Sequence, residues 1–195
     1  MTTIPSHNPN DPRVIRTRQL ILDAFMYMLN KKDFNSITIS DVTKEATINR
    51  ATFYSHFPDK FGLLHALLSD AFMDYVHRRV PEDAVLTEET VQNLIQSLCD
   101  YHESSSKQCV RNYDSVAPLV EKNVIAELEK FVFQLLSKTC TQEDGRSLEQ
   151  AATIISWSIY GITYRWFIKG KIETAVELSH NIAPLFSLWI VTETN

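Results

Sequence analysis

Four glycines in 195 residues leave few places where the backbone can turn through positive φ without strain. Tight hairpins and glycine-rich phosphate loops both need such residues, so a strand-and-turn architecture is disfavoured and long helices are expected. With 44% hydrophobic and 22% charged residues, the chain sits in the globular range, away from disordered compositions. Its length suits one ordinary domain or two small ones packed together.

Helical punctuation recurs along the chain. Residues 1–10, rich in Pro and Asn, read as a disordered lead. Asp11-Pro12 supplies a cap followed by proline at the first helical position, and the apolar spacing of Val14, Ile21, Leu22, Phe25 and Leu29 continues to Lys31-Lys32. Thr38-Ile-Ser-Asp41 matches a capping-box start for a short helix over 38–46, and Asn49 caps another that ends near Phe57. Pro58-Asp59 then opens a longer helix carrying Leu63, Leu64, Leu67, Leu68, Phe72 and Val76. Pro81 and the acidic run to Glu89 mark an expected boundary, dividing a segment 11–80 from a segment 81–195.

Beyond Pro81 only helical patterns occur. One helix carries Val91, Leu94, Leu98 and Cys99, with the serines at 104–106 expected to end or loosen it. A second carries Leu119 to Leu136, and Gly145 lies in an expected loop. The stretch 147–169 is apolar on nearly its whole circumference, which requires burial on several sides. Gly170 stops it, and a last helix over 173–191 is expected to kink at Pro184.

The net charge of −5 conceals a split. Residues 1–80 hold ten Lys/Arg against eight Asp/Glu, whereas residues 81–195 hold nine against sixteen. The positive excess falls on the segment with the two short helices. Three cysteines are too few for a disulfide scaffold and point to a reducing compartment. The start MTTIPSHNPNDPR holds no apolar run, and no stretch reaches 18 uninterrupted apolar residues, so a cytoplasmic location without a membrane partner is expected.

Two short helices joined by a three- or four-residue turn, with longer helices on either side, form a helix-turn-helix pattern at about 37–56. At 100° per residue Phe53 and Phe57 share the inward face of the second short helix. Arg50, Ala51, Tyr54 and Ser55 occupy the outward arc, with Thr52 and His56 on its shoulder. Such a strip suits a major groove, where arginine pairs with guanine and hydroxyls reach phosphates.

The tracts Ile37-Thr-Ile-Ser-Asp-Val through Ala46, and Thr52-Phe-Tyr-Ser-His-Phe-Pro-Asp-Lys60-Phe-Gly-Leu-Leu64, resemble the TetR family of bacterial transcription regulators. The resemblance covers roughly residues 12–65. It implies an all-α protein of about nine helices: an N-terminal three-helix helix-turn-helix domain, then a larger C-terminal helical domain for dimerisation and ligand binding. Thr38 and Ser40 would meet the DNA backbone. Arg50, Ala51 and Thr52 would face bases or nearby phosphates, with Asn49 opening their helix. Tyr54 and His56 would contact the backbone or groove edge, and Lys60 would hold a phosphate. Two departures stand out: the family usually has glycine where this chain has Thr47, and often serine where it has Asn49. The run Gly161-Ile-Thr-Tyr-Arg-Trp166 with Lys169-Gly170 also resembles a subgroup common in Gram-positive bacteria.

The partners implied are a palindromic double-stranded DNA operator, a second copy joined through the last two helices, and a small apolar or aromatic effector. Tyr101, His102, Arg111, Trp157, Tyr160, Tyr164 and Arg165 are the candidate effector residues, because polar and aromatic groups on otherwise apolar helices are what a ligand pocket needs. Such stripes also serve as core or dimer interface. Arg165, if buried among Tyr164, Trp166 and Phe167, would need a carboxylate partner.

Cys99-x-x-His102 with Cys109 lacks a second spacing pair, and Cys99 continues an apolar face, so neither a metal nor a cofactor is expected. No nucleophile, paired-carboxylate or phosphate-loop signature favours an enzyme. The reading is a repressor released by a small effector. An alternative is a regulator or activator controlled by a protein partner, and a further one is a helical enzyme or carrier using the C-terminal cavity.

Overall fold

The computed structural model describes residues 11–108, 113–139 and 145–186. Among these residues every regular element is helical: eight α-helices and two 3-10 turns, against the expected nine or so helices. They are α1 (Pro12–Lys31), α2 (Ile39–Glu45), α3 (Arg50–His56), α4 (Lys60–His77), α5 (Glu88–Gln108), α6 (Tyr113–Thr139), α7 (Gly145–Ile168) and α8 (Ala175–Ile182), with 3-10 turns at Phe34–Ser36 and Ala183–Phe186. Residues 1–10, Arg111, Cys109, Cys140 and the end of the expected last helix lie outside the described residues.

The helix starts follow local chemistry. Asp11 Oδ1 accepts from the Arg13 amide at 2.8 Å, satisfying a donor that an isolated first turn leaves unpaired. Thr38 and Asp41 close the expected capping box at α2: the Asp41 amide donates to Thr38 Oγ1, and the Thr38 amide donates to the Asp41 carboxylate. Those bonds, together with Lys32, hold the Asp41 carboxyl down at about 2. A second capping box, Thr174 with Glu177, opens α8 and lowers the Glu177 pKa through the same kind of hydrogen bond.

Three boundaries differ from expectation, at the end of α5, the start of α7 and the end of α8. α5 runs to Gln108 through the serines, because Ser105 donates back to the Tyr101 carbonyl at 2.8 Å and stays satisfied within the helix. α7 begins at Gly145, so that glycine joins the helix instead of a loop. At its other end Gly170 has φ +84, its amide donates to the Phe167 carbonyl, and the Lys171 amide reaches the Trp166 carbonyl. Beyond Ile182 the α-helix gives way to the 3-10 turn containing Pro184.

The chain forms two compact units, one of residues 1–68 with 109–120 and one of residues 69–108 with 121–195. The division falls inside α4, between Leu68 and Ser69. Burial gives the reason. Leu63 and Leu64 join Ile21, Phe25, Phe34, Val42 and Phe53 in the first core. Further along α4, Phe72 meets Tyr101 of α5 edge-on at 5.6 Å within the second unit. In that second unit α5 packs against α7 and α8, and Leu94, Leu98, Leu128, Val132, Ile155 and Ile159 are buried.

Candidate nucleic-acid interface and C-terminal site

The turn between α2 and α3 is built on Thr47, a β-branched residue held at φ +56, where L side chains are strained. The Ile48 amide donates to the Thr43 carbonyl at 3.0 Å and fixes the reversal. Asn49 then caps α3, its Oδ1 accepting from the Thr52 amide at 2.7 Å and from the Thr52 hydroxyl at 3.0 Å. Phe53 is fully buried and Phe57 nearly so, and Arg18 of α1 lies over the Phe57 ring at 5.8 Å. The anchored face is thus the one that the spacing of Phe53 and Phe57 defines.

On the opposite face some groups already serve hydrogen bonds within the helix. Asn49 and Thr52 serve the cap, and the Ser55 hydroxyl donates to the Thr52 carbonyl at 2.7 Å. Arg50, Ala51 and Tyr54 are exposed, Tyr54 by 53%, while His56 is half-buried with its ring 6.3 Å from that of Phe57. Thr38 and Ser40 are exposed at the start of α2. The strip therefore offers a guanidinium, a methyl and a phenol side by side, the mixture of donor, apolar and hydroxyl groups that base edges and phosphates accept. Lys60 is arranged differently: its ammonium donates to the carbonyls of Phe34, Asn35 and Ile37 at 3.1, 3.1 and 3.2 Å.

In the second unit, four of the expected effector residues come together. Tyr160 and Tyr164 stack with ring centroids 5.9 Å apart, His102 lies 5.5 Å from Tyr160 and 5.9 Å from Tyr164, and Tyr101 lies 6.2 Å from His102. Phe167 stacks on His102 at 5.9 Å, and Thr163 Oγ1 is 3.2 Å from His102 Nε2. Because the Thr163 hydroxyl donates to the Ile159 carbonyl, its oxygen accepts from His102 Nε2–H, which selects that neutral tautomer. Burial pushes the His102 pKa down to about 4. Sequence reasoning missed Thr163 and Phe167. Their spacing from Tyr160, three and seven residues on, was the available signal.

Trp157 and Arg165 are not part of this cluster. Trp157 is 53% exposed, and its indole donates to Glu129 Oε1 at 3.1 Å. Arg165 is exposed, which corrects the idea of a buried guanidinium seeking a carboxylate; it borders a shallow pocket with Lys169 and Trp166. A groove of about 620 Å³ lies instead between α4 and α6, with Met73, His77, Glu127, Lys130 and Phe131 among its walls. None of the six expected effector residues that are described, Tyr101, His102, Trp157, Tyr160, Tyr164 and Arg165, borders it. Within the single chain α7 buries Leu148, Ala152, Ile155, Ile159 and Trp166, while Ile154, Trp157, Tyr164 and Ile168 leave an exposed apolar stripe along it.

A family model described as bacterial regulatory proteins, tetR family, matches residues 21–67, the stretch from the buried part of α1 through α2 and α3 into α4. Over residues 21–67 the chain is similar to the tetR family. The HTH-type transcriptional regulator YxbF of Bacillus subtilis (strain 168) is 46% identical over 59 residues, 30% of this chain and 16% of YxbF. The HTH-type transcriptional regulator AlkX of Mycobacterium tuberculosis is 41% identical over 63 residues, 31% of this chain and 30% of that protein. Each match thus spans under a third of the relative's own length.

Among solved structures, the TetR family repressor AlkX from Dietzia sp. strain DQ12-45-1b shares the fold with a TM-score of 0.55 at 21% identity, covering 93% of this chain and 98% of that one. The dihydroxyacetone kinase operon activator DhaS does so with a TM-score of 0.54 at 19% identity, covering 90% and 97%. At these identities the tetR-family likeness beyond residue 67 is one of fold.

Proposed function

We propose that this chain is a sequence-specific DNA-binding transcriptional regulator whose α3 enters the major groove. One observation carries the reading: on a seven-residue helix anchored by a fully buried Phe53, the outward residues are Arg50, Ala51 and Tyr54, with no large aliphatic side chain among them.

The same reading takes a homodimer as the working form. The exposed stripe of α7 repeats at helical spacing through Ile154, Trp157, Gly161, Tyr164 and Ile168, and a Cβ added at Gly161 would meet nothing within 4 Å. A second copy laid against that stripe buries it isologously. Two recognition helices would then read half-sites about 34–36 Å apart on a palindromic operator. Release by a small apolar or aromatic effector is the regulation we infer, with the α4–α6 groove and the aromatic cluster around His102 as the places for it. Because α4 also carries Leu63 and Leu64 of the first core, an effector on its C-terminal half can bias the other half by differential affinity. The relatives support both signs of control, since AlkX is named a repressor and DhaS an activator.

Fluorescence anisotropy on the DNA upstream of the chain's own gene tests the central statement. Binding that weakens with salt and discriminates against scrambled duplex is expected; binding indifferent to sequence would sink it. For the dimer, sedimentation of Ile168→Asp should show a monomer where the unaltered chain sediments as a dimer.

A further inference from the structure

We propose that Lys60 positions the DNA-reading helices from inside the fold and does not hold a phosphate; this rests on the DNA-binding reading above. An ammonium has three N–H donors, and here all three point at carbonyls, those of Phe34, Asn35 and Ile37 at 3.1, 3.1 and 3.2 Å. Its charge also lies 4.7 Å from the centroid of the buried Phe34 ring, a second attraction toward the interior. A phosphate could recruit this lysine only by breaking one of those bonds.

A separate observation closes the same place to anions. The Asp59 carboxylate accepts from the Phe61 and Gly62 amides at 2.9 and 2.7 Å, so the first turn of α4 already holds a negative group where a phosphate would bind. A DNA phosphate brought there would meet a carboxylate and a lysine with no donor to spare.

The clamp has a target. The three carbonyls belong to the 3-10 turn and the residue after it, and the next residue, Thr38, is the N-cap of α2. Holding residues 34–37 against the start of α4 fixes the direction in which the chain enters α2. Through the short turn at Thr47 it also fixes where α3 presents Arg50 and Tyr54. Lys60 therefore acts on DNA through the backbone it holds.

The test compares Lys60→Met and Lys60→Arg with the unaltered full chain on a mixed-sequence DNA duplex, at a temperature where circular dichroism shows each fully folded. The expected result is several-fold weaker binding by both variants with an unchanged slope of log affinity against log salt. Hydrogen exchange in the free variants should be faster at residues 34–37. A phosphate contact predicts otherwise: a slope smaller by about 0.9 for Lys60→Met and normal binding by Lys60→Arg. Unchanged affinity and slope in both folded variants would reduce the lysine to a stability role and also overturn the proposal.

Should either variant fail to fold, nitrogen-15 labelling of lysine in the unaltered chain decides. The Lys60 ammonium resonance should be slowly exchanging and unmoved by duplex, and a shift on adding DNA would overturn the clamp. If the unaltered chain binds no DNA, the regulator reading fails, while the exchange at 34–37 still reports on the clamp.

Discussion

α3 and α7 each expose one side after the core has taken the other, and the two exposed sides are opposite in character. On α3 the outward residues are Arg50, Ala51 and Tyr54; on α7 they are Ile154, Trp157, Tyr164 and Ile168. The polar strip costs nothing in water, whereas the apolar stripe leaves large side chains hydrated that a partner surface would cover. Under the proposed function, α3 would meet a charged, hydrogen-bonding polymer and α7 a surface as apolar as itself.

The strongest way to break this comparison is to remove the anchor under the polar strip. Phe53→Ala should destabilise the first unit by about 3–5 kcal/mol, as a large aromatic deleted from a closed core does. A urea titration followed by circular dichroism would show it, and a loss under 1 kcal/mol would mean that α3 does not depend on its buried face.

The second test concerns the aromatic cluster beside α7. His102 is buried neutral with a folded pKa of about 4, below the usual 6.5. Between those values the unfolded ring binds more protons than the folded one, so stability is complete above pH 6.5 and falls as pH drops toward 4. The loss is expected to reach about 3 kcal/mol. His102→Gln, which keeps a donor for Thr163, should flatten the dependence in melts taken from pH 7 to pH 4. Equal slopes for the two proteins would place the titration elsewhere.

Arg50→Ala separates recognition from stability. Binding to the preferred duplex should weaken by about 1–3 kcal/mol if the guanidinium pairs with a base, with urea stability unchanged within about 0.5 kcal/mol. An equal loss on scrambled duplex would assign it to a phosphate instead.

The smallest effect belongs to the turn. Thr47 sits at φ +56, a conformation costing about 1–2 kcal/mol for a side chain with a Cβ. Thr47→Gly relieves that but adds about 0.5–1 kcal/mol of unfolded-state entropy. A net gain of up to about 1 kcal/mol in urea stability is therefore expected. Destabilisation would show that Thr47 makes contacts that outweigh its backbone.

Much of this was legible because it is local. The caps at Asp11, Thr38 and Asn49 depend on bonds spanning two or three residues, so a sequence that places the right oxygen before the right amide has already specified them. The alternation of buried and exposed positions on α3 follows from 100° per residue and needs no tertiary information.

What could not be read depends on distant partners. Lys60 resembles an anion ligand by position, and only the approach of residues 34–37, more than twenty positions earlier, turns its three donors inward. Arg165 lies within an aromatic run, yet helix rotation leaves it exposed. The chain's near-lack of glycine, its capping residues and its helical spacing determined an all-α protein whose α3 exposes Arg50, Ala51 and Tyr54 above a buried Phe53. Tertiary packing decided where α4 divides between two cores, which aromatic residues surround His102, and which cations remain exposed, because those depend on which helices meet, and a helix's own sequence does not say what it will pack against.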